Sequence, residues 1–195
     1  MFRNLLIFIK QPILITLPTL IKRPLFILTV LSILGVSTAY AHGPSRLKVS
    51  ESVTINAPAE KVWKTVGAFN SLAWLPPVTK VVMEKEPANE KGAVRVVYVG
   101  EQSVEETLKK FDDQGMTLKY KISKDNTALL PVTNYQSTLS VKAEGDNSVV
   151  TWKAGFYRGD PNNNPPENLN DETAISAITG LYKAGLGNLK KVMEQ

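Results

Sequence analysis

The sequence predicts an α+β domain in which a curved antiparallel sheet of about seven strands wraps around one long C-terminal helix. Three observations carry that prediction. Apolar residues recur with period two from residue 46 to residue 158, a period near 3.6 takes over after Asn170, and the strand-to-strand connections are of hairpin length. Connections that short join antiparallel neighbours.

The first strand runs from about Arg46 to Ile55, where Leu47, Val49, Val53 and Ile55 alternate with polar residues. A short helix follows. Asn56-Ala57-Pro58 puts a proline at its first turn, and Val62, Trp63, Val66 and Phe69 form one apolar stripe. Trp74-Leu75-Pro76-Pro77 ends any helix there, because proline lacks the N–H and clashes with the preceding turn. Six strands are then predicted: Val78 to Glu86, Ala93 to Val99, Ser103 to Phe111, Met116 to Ser123, Asn134 to Ala143 and Val149 to Arg158. Turn signals such as Asn89-Glu90-Lys91-Gly92 and Glu144-Gly145-Asp146-Asn147 separate them. The alternation in Met116-Leu118-Tyr120-Ile122 and Val150-Trp152-Ala154-Phe156 makes one face of the sheet apolar and the other wet.

Asn170 is the expected cap of the terminal helix, with Asp171 and Glu172 in its first turn and Lys190 and Lys191 in its last. Ile175, Ile178, Leu181, Tyr182, Leu186, Leu189 and Met193 form its apolar face. Gly180, Gly185 and Gly187 each cost about 1 kcal/mol relative to alanine inside a helix. Close packing against the sheet, or a helix kept pliable over a cavity, would account for them.

Residues 1–41 have the order of an export signal: four cations and no acid, an apolar run from Leu25 to Val36, and the small-residue pattern Ala39-Tyr40-Ala41. Cleavage after Ala41 is expected, leaving residues 42–195 as a single domain outside the cytoplasm, periplasmic or secreted. The leader holds four of the chain's 23 cations, so 19 remain against 18 acids and the positive balance belongs to the leader. No basic cluster interleaved with aromatics remains, which argues against a nucleic-acid partner. Membrane contact is expected only through the leader before cleavage. The chain has no cysteine and one histidine, His42, so soft-metal sites and Ser-His-Asp or Cys-His catalysis lack their residues. No cofactor is expected.

The order of elements resembles the helix-grip fold of the START-like SRPBCC superfamily, which includes polyketide cyclases, dehydrases and lipid carriers. Three motifs carry the resemblance: Val53-Thr54-Ile55-Asn56-Ala57-Pro58-Ala59-Glu60-Lys61-Val62-Trp63, Leu130-Pro131-Val132-Thr133-Asn134-Tyr135, and Trp152-Lys153-Ala154-Gly155-Phe156-Tyr157-Arg158-Gly159. The last two, with Pro161-Asn162-Asn163, are similar to the exported MxaD-like accessory proteins of methanol dehydrogenases. Such proteins often carry a histidine between the tryptophan and the proline after the first helix; here Leu75 stands there.

The resemblance implies a ligand cavity between sheet and helix. Tyr98, Tyr120, Tyr135, Trp152 and Phe156 fall in apolar phases of their strands, and Tyr182 on the apolar face of the helix. With Trp74 they are the expected lining for an apolar or amphipathic small molecule. Glu51 and Glu106 interrupt apolar phases and are the candidate acid and base, while Arg95 can form an ion pair with one of them. Two function classes follow. One is a non-enzymatic exported binding or accessory protein that docks on a periplasmic dehydrogenase or cytochrome, as the resemblance implies; the other is a cyclase or hydrolase-like enzyme using cavity carboxylates. Convergence of Glu51 and Glu106 in one pocket discriminates between them.

Overall fold

Alternating apolar residues commit most of the chain to one sheet, and the computed structural model, which describes residues 43–195, shows how that sheet is built. The expected leader, its cleavage site and His42 lie outside the described residues. The strands are β1 (Leu47–Ile55), β2 (Lys80–Lys85), β3 (Val94–Val99), β4 (Gln102–Asp112), β5 (Thr117–Lys124), β6 (Val132–Glu144) and β7 (Asn147–Arg158). All pairings are antiparallel, in the order β1-β7-β6-β5-β4-β3-β2. From β2 to β7 each strand pairs with its sequential neighbour, as the short turns require. The helix α1 (Ala59–Val66), with Pro58 at its N-cap, lies in the connection from β1 at one edge to β2 at the other.

Bulges curve the sheet. Register shifts occur between Met83 and Lys85, Glu105 and Glu106, Leu108 and Lys110, and Thr133 and Gln136. Each adds a residue to one strand, which bends it and increases its twist. At the last of these Asn134 has φ 49°, a left-handed conformation that asparagine tolerates better than most residues.

The terminal helix α2 (Asp171–Met193) begins where predicted: Asn170 Oδ1 accepts the Thr173 N–H at 2.8 Å and satisfies one orphan donor of the first turn. Ala174, Ile178, Tyr182, Leu186, Leu189 and Met193 are buried, whereas Ile175 lies off this stripe and is 40% exposed. The helix packs chiefly across β1 and β7. Gly185 makes that possible, since a Cβ there would stand 2.6 Å from Leu75 Cδ1 and 3.0 Å from Trp152 Cζ3. Gly180 and Gly187 face open space. No described helix is long and apolar enough to cross a membrane.

Arg158, before the Pro/Asn-rich loop, organises it by donating to the carbonyls of Asp160 and Asn162 and pairing with Asp171 at 3.2 Å. The Arg158-Gly159-Asp160 sequence is thus a structural corner.

Candidate functional site

Because α2 covers the β1–β7 side of the sheet, the inner faces of β3, β4 and β5 must be closed by loops. The loop after α1 folds into two successive turns, Leu75 N–H to Leu72 O at 2.8 Å and Val78 N–H to Leu75 O at 3.0 Å. These present Leu72, Leu75, Pro77 and Val78 inward, and Asn188 of α2 fixes the loop by donating to Trp74 O at 3.0 Å. Between β5 and β6, Asn126 Oδ1 accepts from Leu129 N–H while its amide donates to Ser103 O on β4. That turn brings Leu129 and Leu130 to the same space.

The result is a cavity of about 270 Å³, bounded by these loops, by Val97, Val99, Val104, Glu106, Tyr120, Ile122, Tyr135 and Trp152 of the sheet, and by Ala177 and Leu181 of α2. Its volume is nearly twice the ~150 Å³ of an apolar cavity that takes up benzene, so it suits a molecule on the order of two aromatic rings.

The wall is apolar apart from a few groups. Glu106 is held by Arg95, whose Nε and Nη2 both lie 2.7 Å from Oε2. A buried ion pair repays its desolvation only when its remaining protons are satisfied. Arg95 meets that condition in part by donating from Nη1 to Phe69 O at 2.7 Å, and its guanidinium lies 4.2 Å from the Phe69 ring centre and 5.3 Å from that of Tyr120.

Behind the wall runs a hydrogen-bond chain whose directions follow from its ends. Trp152 Nε1–H can only donate and reaches Ser137 Oγ at 2.9 Å, with Tyr120 Oη at 3.2 Å. Lys153 O can only accept, so the Ser137 proton goes to it at 3.1 Å. Tyr182 must therefore donate to Ser137 at 3.1 Å, and Tyr135 to Tyr182 at 2.6 Å. Trp152 is pinned further by stacking on Tyr182 at 4.0 Å and by the edge of Trp74 at 5.2 Å. Burial, above all, pushes the Tyr120, Tyr135 and Tyr182 hydroxyls well above the usual phenol value, and neighbouring ionisable groups add to it.

Of the aromatics expected to line the cavity, Tyr120, Tyr135 and Trp152 do so. Trp74, Phe156 and Tyr182 are buried one layer back, Phe156 stacked on Tyr135 at 6.4 Å. Tyr98 is a correction. It pairs in register with Lys80 and Ser103, on the face opposite the cavity-lining Val97, Val99 and Val104, and Lys80 Nζ sits 5.6 Å from its ring. Glu51 is a second correction as a partner for Glu106. It sits half-buried on β1 opposite Trp152, off the cavity wall, and β7, β6 and β5 separate its strand from that of Glu106. Ser137 and the loop leucines were not anticipated. A lone serine in a polar-looking strand and apolar residues in loops carry no periodic signal.

The chain matches the family of polyketide cyclase/dehydrase and lipid transport proteins over residues 46–194. Among solved structures, an uncharacterised protein from Bacillus thuringiensis is 30% identical with a TM-score of 0.63, the match covering 76% of this chain and 100% of that one. The protein XoxI from Bacillus cereus is 31% identical with a TM-score of 0.62, over 75% of this chain and 94% of that one. Ara h 8.0201, 14% identical with a TM-score of 0.58 over 76% of this chain and 98% of that one, shares the fold. No curated protein sequence matches the chain. Since the family match runs from the start of β1 to the end of α2, taking in every element that frames the cavity, the chain belongs to the polyketide cyclase/dehydrase and lipid transport family.

Proposed function

We propose that this protein binds an apolar or amphipathic small molecule in its cavity without converting it, acting outside the cytoplasm as a carrier or accessory to a periplasmic redox enzyme. The observation that carries the binding reading is the cavity itself: about 270 Å³ enclosed by a mostly apolar wall, whose one carboxylate among the described residues, Glu106, is locked to Arg95. Paired-carboxylate chemistry needs two acids facing one substrate. Glu106 has no second carboxylate beside it among the described lining residues, so the cyclase or hydrolase reading lacks its acid–base pair. The export signal supports the location, and the resemblance of the motifs from Leu130 and from Trp152 to MxaD-like proteins supports a quinoprotein dehydrogenase or cytochrome as partner.

Mass spectrometry of gently purified protein tests the binding reading, with an apolar molecule expected to co-purify. Ala177→Phe, which fills the cavity from α2, should abolish its retention while circular dichroism stays unchanged. Prolonged incubation should return the molecule chemically intact. Appearance of a product of different mass with the wild-type chain alone would refute the non-catalytic reading.

A further inference from the structure

Glu106 uses its two carboxylate oxygens unequally. Both Arg95 contacts fall on Oε2, and no hydrogen bond from the described residues reaches Oε1. The side chain is only 9% exposed and stands on the cavity wall. Arg95 is not a lining residue, because its plane is stacked between Phe69 and Tyr120 and its Nη1 is engaged by Phe69 O. The cavity therefore meets the acid of the ion pair and not the base.

An ionised acceptor forms hydrogen bonds roughly twice as strong as neutral ones when a donor arrives. A carboxylate in the same place would set anion against anion, a juxtaposition that costs far more at low dielectric than in water.

We propose that the cavity selects apolar molecules bearing a hydroxyl or amine donor and rejects carboxylates, through Glu106 Oε1. This rests on the binding reading above and specifies its ligand class.

Naphthalene, naphthol and naphthoate share one body and differ in their polar group, so isothermal titration of the full chain with each at neutral pH tests the proposal. Naphthol should bind about tenfold or more tightly than naphthalene, the worth of one hydrogen bond to a charged group. Naphthoate should bind more weakly than naphthalene, and Glu106→Gln should narrow the gap between naphthol and naphthoate by about tenfold. Should the glutamine variant unfold because Arg95 loses its partner, the wild-type series decides alone. Equal affinity for naphthalene and naphthol overturns the donor proposal and leaves the cavity reading standing, as does preferred binding of naphthoate. Binding of none of the three overturns both.

Discussion

Replacing Gly185 with alanine sets two opposing energies against each other. Alanine is favoured over glycine in a helix interior by about 1 kcal/mol. At this position the added Cβ would lie 2.6 Å from Leu75 Cδ1, 3.0 Å from Trp152 Cζ3 and 3.2 Å from Trp74 Cζ3. Leu75 can turn into the cavity it lines, but Trp152 cannot retreat, since its N–H is bonded to Ser137 and its ring is stacked on Tyr182. Overpacking of this kind costs about 1–3 kcal/mol. The net expectation is a loss of about 1 kcal/mol, or a melting point lower by roughly 2–4 °C in a domain of this size. Gly180→Ala and Gly187→Ala, with no atom within 4 Å of the new Cβ, should gain about 1 kcal/mol each from the same propensity term. Urea unfolding followed by tryptophan fluorescence measures all three. If Gly185→Ala stabilises as much as the other two, the close approach of α2 to the Trp74-Leu75 loop is not what holds glycine there.

Ser137→Ala removes the centre of the buried chain and orphans the Tyr182 proton; a destabilisation of about 2 kcal/mol is expected in chemical denaturation. The three buried tyrosines make stability depend on alkaline pH. Their folded values are raised, so their contribution is fully present below the unfolded value near 10 and is lost as pH climbs from there towards the folded values. Tyr182→Phe should reduce the slope of unfolding free energy in that window by about 1.4 kcal/mol per pH unit, one proton's worth, and an unchanged slope would show that Tyr182 is not protected in the folded state. Asn170→Ala, which deletes the cap of α2, should cost about 1 kcal/mol, seen as a lower thermal midpoint.

The fold was legible because its signals are periodic. Period-two alternation locates β5 and β7, and Asn170 with the stripe from Ile178 to Met193 locates α2. The site was legible only where it shares that periodicity. Tyr120 and Trp152 alternate with lysines and threonines, so their inward phase could be read from the chain. Tyr98 could not be placed, because valines occupy both faces of β3, Val94 and Val96 on one and Val97 and Val99 on the other. The cavity mouth was invisible for another reason. Leu72, Leu75, Leu129 and Leu130 sit in loops whose course is set by side-chain hydrogen bonds from Asn126 and Asn188 across long sequence separations. Glu106 stood out as a break in an apolar phase, and the structure resolves it into an ion pair with Arg95.

The energetic case for a ligand comes from what this domain forgoes. An unfilled space of 270 Å³ costs up to about 6 kcal/mol at roughly 24 cal/mol per Å³, less where water enters. Total stability of a domain is only about 5–15 kcal/mol, and this one has no disulfide to add to it. Larger aliphatic side chains at Val97, Val99 and Val104 would extend into the space while keeping strand-compatible branching, as isoleucine does. The Arg95–Glu106 pair is a second forgone gain, since apolar residues of similar volume commonly replace a buried ion pair without loss. Both features adjoin the same cavity. A wall optimised for stability alone would have neither, whereas a wall that must accept a molecule and orient its polar group needs the space and the acceptor together.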